Sequence, residues 1–110
     1  MIEDLFLPNE EIKYRRNISN LSVGGERFEE MVITNHRILF YKRTGLIFKN
    51  DVIETIGLDS ITGVKYREKG MISKKGIVEI HGEEMRRMEG SAAQMKQLYQ
   101  VLSSKIGKLV

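Results

Sequence analysis

The stretch Met31-Val-Ile-Thr-Asn-His-Arg-Ile-Leu-Phe-Tyr-Lys-Arg43 constrains the fold more than any other part of the chain. Val32 and Ile33 before the break, and Ile38 to Tyr41 after it, are β-branched, aliphatic or aromatic, the side chains that suit a pleated surface. Thr34-Asn35-His36-Arg37 supplies a polar turn between them. Asn35 is read as its pivot, because a short amide tolerates a left-handed backbone and bonds to nearby chain. Alternation puts Met31 and Ile33 on one face with Val32 on the other, and sets Ile38 and Phe40 against Leu39 and Tyr41. Both faces of the hairpin are therefore apolar. An antiparallel sheet commonly leaves one face to water, so the surplus face needs a cover. The choices are the Leu5-Phe6-Leu7 arm, a helix, or another copy of the chain. The last makes Met31, Ile33, Leu39 and Tyr41 a candidate protein interface.

The remaining pattern extends the hairpin into a sheet. Ile12, Tyr14 and Ile18 alternate with Lys13, Arg15 and Asn17 as in a half-buried strand, while Arg16 falls on the apolar side and marks a bulge or a strand end. Residues 20–26 read as a loop around Gly24-Gly25. Thr44-Gly45 breaks the second hairpin strand, Leu46-Ile47-Phe48 starts a short one, and Lys49-Asn50-Asp51 turns again. Strands follow over residues 52–58, 61–68, 77–81 and 85–88, with a helical turn at Asp59-Ser60. The tail changes period: Ser91-Ala-Ala-Gln94 fits a capping box, Met95, Leu98, Leu102 and Ile106 recur at helical spacing, and Gly107 suits the C-cap. The expected architecture is mainly β, a sandwich or barrel of about seven antiparallel strands with one C-terminal α-helix. One domain over residues 1–110 accounts for all of it: an arm or short helix at 1–10, strands over 11–90 and the helix over 91–107.

Composition excludes several classes of chemistry. The chain has 110 residues and no cysteine, so a disulfide framework, a thiol nucleophile and a cysteine-ligated metal are ruled out. That absence also suits a reducing cytoplasm. The opening residues lack the basic start and apolar run of a signal peptide, and no window approaches the ~20 apolar residues of a membrane span. The formal charge is +3, a mild bias that favours loose anion binding rather than dedicated nucleic-acid binding.

Taken in order, Leu7-Pro8-Asn9-Glu10-Glu11-Ile12, Thr34-Asn35-His36-Arg37-Ile38, Ile56-Gly-Leu-Asp-Ser-Ile61 and Gly90-Ser91 resemble the short prokaryotic pleckstrin-homology-like (PH-like) domains. The resemblance covers nearly the whole chain. It implies a strongly bent seven-stranded antiparallel sandwich or barrel capped by the C-terminal helix, and a binding role without catalysis or cofactor. Ring-like assemblies among such relatives favour self-association. Phosphoinositide-binding eukaryotic relatives hold phosphates with basic residues at the end of the first strand and in the next loop. Here Asn20-Leu-Ser-Val-Gly-Gly-Glu26 has no lysine or arginine, a departure that speaks against that specificity.

No catalytic or metal-binding grouping emerges from the residues. His36 and His81 are far apart in sequence, and adjacent Glu29-Glu30 and Glu83-Glu84 point different ways in extended chain. Lys69-Gly-Met-Ile-Ser-Lys-Lys-Gly76 is more suggestive: Met71 and Ile72 at a loop tip could enter a bilayer interface while Lys69, Lys74 and Lys75 meet anionic headgroups. Lys13, Arg15, Arg16, Arg27 and Arg37 could line a nucleic-acid surface, but no aromatic platform accompanies them. The expected function is thus a noncatalytic scaffold that associates with itself or another protein. Peripheral binding to anionic lipid on the inner face of the membrane is the alternative, and nucleic acid ranks last.

Overall fold

A computed structural model describes residues 2–107. Two antiparallel sheets pack around one main core. The strands are β1 (Ile12–Asn17), β2 (Ser22–Val23), β3 (Glu26–Arg27), β4 (Glu30–Thr34), β5 (Arg37–Thr44), β6 (Asn50–Gly57), β7 (Gly63–Lys69), β8 (Lys75–His81) and β9 (Arg86–Ser91), followed by helix α1 (Ala92–Gly107). One sheet has the order β1-β4-β5-β6 and the other β3-β2-β9-β8-β7. Single 3-10 turns occupy Ile2–Leu5 and Leu58–Ser60, the second at the helical turn expected from Asp59-Ser60. The mainly β architecture with a closing helix is the one the sequence leads to.

The β4–β5 hairpin lies at the centre. Its register pairs Met31 with Phe40, Val32 with Leu39 and Ile33 with Ile38. Met31, Ile33, Ile38 and Phe40 enter the main core with Phe28, Val78, Ile80, Met88 and the helix residues Met95, Leu98 and Leu102. Val32 and Leu39, on the other face, form a second cluster with Phe6, Tyr41 and Ile53. The surplus apolar face is therefore covered by the N-terminal arm.

The turn at residues 34–37 holds that arm in place. Arg37 Nε donates to Glu10 Oε2 at 2.9 Å, and Arg37 Nη2 donates to the Leu5 carbonyl at 2.9 Å. Thr34 Oγ1 donates to Glu10 Oε2 at 2.6 Å, and the Leu7 amide donates to Glu10 Oε1 at 2.8 Å. Burial alone would raise the Glu10 carboxyl, but these hydrogen bonds and the Arg37 charge outweigh it and hold its pKa at about 2. Asn35 accepts from the Glu11 amide and donates to the Asn9 carbonyl. The left-handed residue here is Asn9 (φ 64°), not Asn35, so Asn35 acts through its amide rather than through its backbone.

Three local expectations need correction. Residues 20–26 carry the two-residue strand β2 and the first residue of β3, turned by Gly24 (φ 59°) and Gly25 (φ 85°), and β2 pairs with β9 through Ser22 and Val23. Leu46, Ile47 and Phe48 form no strand; they are the tip between β5 and β6, and Asn50 and Asp51 already belong to β6. The bulge lies between Ile12 and Tyr14, ahead of Arg16, which opposes Met31 and donates to Gln97 at 3.0 Å.

The helix behaves as its spacing predicts. Ser91 Oγ accepts from the Gln94 amide at 3.3 Å and caps the first turn. Helix and sheet approach closely at Gly76, where a Cβ would stand 2.5 Å from Met95 Cβ. The side chain of Ile106 lies outside the described residues, as does everything beyond Gly107.

Candidate functional site

The hairpin tip between β7 and β8, where the sequence places its basic loop, departs from an ordinary solvated surface. Lys69 pairs with Lys75 across its base, and Gly70 turns the chain at φ 100°. A Cβ on Gly70 would lie 2.6 Å from the Ser73 carbonyl oxygen, so glycine is required by space as well as by backbone angle. At the apex Met71 is 97% exposed and Ile72 102% exposed. Neither side chain folds back on the core, which is the ordinary alternative for an apolar loop residue.

A basic collar surrounds this tip. Lys69 Nζ lies 2.6 Å from Glu89, and Lys74 Nζ and Lys96 Nζ lie 3.8 and 3.5 Å from Glu68. Lys75 forms no ion pair among the described residues. Tyr66 donates to Glu68 Oε1 at 2.7 Å, which with the two lysines keeps Glu68 below the usual carboxylate range. Desolvation and that same carboxylate push Tyr66 up to about 12. The hydrogen bond from Lys69 likewise holds the Glu89 carboxyl down, so Glu68 and Glu89 stay ionised and partly offset the lysines while Tyr66 stays neutral. An open cleft of about 470 Å³ beside it is lined by Arg27, Lys74, Lys75 and Glu89.

The β5–β6 tip is built in the same way. Gly45 turns at φ 98°, and its Cβ would strike the carbonyl oxygen of Phe48, three residues on, as at Gly70 and Ser73. Leu46, Ile47 and Phe48 are 98, 85 and 84% exposed. At its base Arg43 Nε meets Asp51 at 2.9 Å and Lys42 Nζ meets Glu26 at 3.0 Å. Hydrogen bonds from Arg43 and Tyr41 hold the Asp51 carboxyl down. Lys49 is exposed and forms no ion pair among the described residues. Sequence periodicity misses this tip because three apolar residues in a row fit a short buried strand equally well. The repeated spacing Gly-apolar-apolar-x-Lys, at residues 45–49 and 70–74, is the signal that finds it.

The expected protein interface does not form a surface. Met31, Ile33 and Leu39 have no exposed area, and half-buried Tyr41 donates to Asp51 at 2.8 Å. The basic residues considered for nucleic acid have scattered local partners, Arg16 on Gln97 and Arg27 on the Ser19 carbonyl among them. Arg15 meets Glu30 at 2.7 Å, Lys13 meets Glu11 at 3.2 Å, and Arg37 is clasped to Glu10. His36 sits exposed in its turn, and His81 Nε2 lies 3.3 Å from Glu79. Among the described residues no group of three or more metal-ligating side chains converges, and no helix is long and apolar enough to cross a membrane.

A family model described as a bacterial PH domain matches residues 7–104. Among solved structures, the chain is similar to the pleckstrin homology domain from Shewanella amazonensis SB2B, with 14% identity and a TM-score of 0.64 over 96% of this chain and 91% of that one. It is also similar to the C-terminal domain of an unknown protein from Leishmania infantum, with 17% identity and a TM-score of 0.66 over 96% and 90% of the two chains. No curated protein matches the chain. At these identities the structural likenesses speak for the fold alone.

Proposed function

The chain belongs to the bacterial PH domain family, and on that premise we propose that it is a noncatalytic binding module that docks reversibly on anionic lipid through residues 69–75. The observation that carries this reading is the complete exposure of Met71 and Ile72 above a lysine collar. Burying an apolar side chain contributes about 1.5 kcal/mol or more, and each basic residue near an anionic surface about 1 kcal/mol. Two apolar side chains and Lys69, Lys74 and Lys75 then sum to at most about 6 kcal/mol, since Glu89 and Glu68 offset part of the lysine charge, a dissociation constant of tens of micromolar or weaker. Such binding is peripheral and salt-sensitive. The anionic inner leaflet would place the protein on the cytoplasmic face.

Self-association through Met31, Ile33, Leu39 and Tyr41 has weaker support, because Phe6 of the N-terminal arm, one of the alternative covers, packs on that face from within the chain. Cosedimentation with phosphatidylserine-containing vesicles tests the membrane reading. Binding is expected at low salt, falling at high salt and falling at least about tenfold in the Lys74→Glu/Lys75→Glu variant. Equal binding to neutral vesicles, or binding indifferent to the two substitutions, contradicts it.

A further inference from the structure

We infer that residues Leu46, Ile47 and Phe48 form a second membrane-inserting tip, so that the module grips anionic lipid with two prongs rather than one. The inference rests on the proposed lipid contact and extends it to a hairpin in the other sheet. Single exposed apolar residues are common on soluble proteins, but consecutive exposed Leu, Ile and Phe side chains form a contiguous patch that marks a contact surface. The occupant is argued from construction. Both tips turn on a glycine near φ 100° whose Cβ would clash with a carbonyl three residues later, and both lift their apolar residues clear of the sheet. Each has one lysine beside it that forms no close salt bridge among the described residues, Lys49 at one tip and Lys75, whose charge acts on Glu89 at longer range, at the other. Like construction argues for a like partner.

The shape of the tips also argues against a second copy of the chain. A convex apolar tip needs either a fluid interface or an apolar groove to receive it. The two clefts described on this chain are open and mixed rather than apolar grooves: Arg27, Lys74, Lys75 and Glu89 stand among serines and Gly90 in one, and Glu83, Glu84 and Arg86 beside Ile56, Gly57 and Ser60 in the other. A bilayer interface needs no preformed groove and supplies the anionic groups that suit Lys49 and Lys75. The two hairpins are rooted on one segment, residues 18–29. Lys42 meets Glu26 and the Arg43 amide donates to Glu29 on one side, while the cleft joins Arg27 to Lys74 and Lys75 on the other. If both tips meet one bilayer plane, the second binds as an intramolecular event, which multiplies affinity without any new contact between proteins.

The chain has no tryptophan, so single replacements make clean fluorescent reporters. Phe48→Trp and Met71→Trp change highly exposed positions outside both apolar clusters. With phosphatidylserine/phosphatidylcholine vesicles, both variants should show blue-shifted emission and quenching by brominated acyl chains, and Leu46→Ser/Phe48→Ser should weaken partition at least about tenfold. A shift in Met71→Trp without one in Phe48→Trp overturns the second prong and leaves the first standing. No shift in either overturns both. A blue shift of Phe48→Trp on concentration without vesicles would mean burial against another copy, and would overturn the lipid assignment of this tip.

Discussion

The β4–β5 hairpin and the two glycine-turned tips share an apolar composition and meet opposite fates. Met31, Val32, Ile33, Ile38, Leu39 and Phe40 are wholly buried, one face in the main core and the other under Phe6. Leu46, Ile47, Phe48, Met71 and Ile72 are almost wholly exposed. The hairpin is long enough to present a flat two-sided surface that neighbouring strands and the arm can cover. The tips project past the last ladder pairs, Thr44 with Asn50 and Lys69 with Lys75, where no other described element covers them. Apolar residues of the first kind stabilise the fold. Those of the second bury almost no area within the fold, and they are the residues the proposed lipid contact would use.

The largest expected effect is in the buried region. Leu39→Ala removes packing from the cluster beneath Phe6 and should cost about 2–5 kcal/mol in urea unfolding. A cost near zero would mean that the arm does not cover this face. A smaller effect tests the clasp that holds the arm. Since the Glu10 pKa falls from 4.5 to about 2 on folding, its contribution is fully present above about pH 4.5 and is lost as pH drops toward about 2. Glu10→Gln should therefore lower stability by about 1–2 kcal/mol at neutral pH, and the difference from the parent chain should vanish near pH 2. A difference that persists there would assign the loss to packing instead. Opening the clasp also uncovers the Val32–Leu39 face, so dye binding to exposed apolar surface should rise over the same pH interval.

Most of the fold is legible in the sequence because period-2 and period-3.6 patterns report burial that neighbouring elements impose. The hairpin, the later strands, the Ser91 cap and the Met95, Leu98, Leu102 stripe all follow from such local regularities. The tip at residues 69–75 is legible too, since Gly70 and its lysines bracket a run too short to be a strand. What covers a given face is not local. Phe6 reaches Leu39 only because Glu10, Thr34, Arg37 and Asn35 tie the arm to the turn, a contact between segments some 24 to 32 residues apart. Hence the hairpin looks like an interface in sequence and is an interior in three dimensions. The error at Leu46, Ile47 and Phe48 is the converse: a run that looks interior stands in solvent.

The contrast between the two regions is tested most directly at the exposed apex, by vesicle partition of the Met71→Ser/Ile72→Ser variant measured beside its unfolding free energy. The expected result is a stability within about 0.5 kcal/mol of the parent chain and a loss of at least about tenfold in binding to phosphatidylserine-containing vesicles. Unchanged partition would contradict the lipid assignment, and a large loss of stability would show that these residues belong to the fold after all.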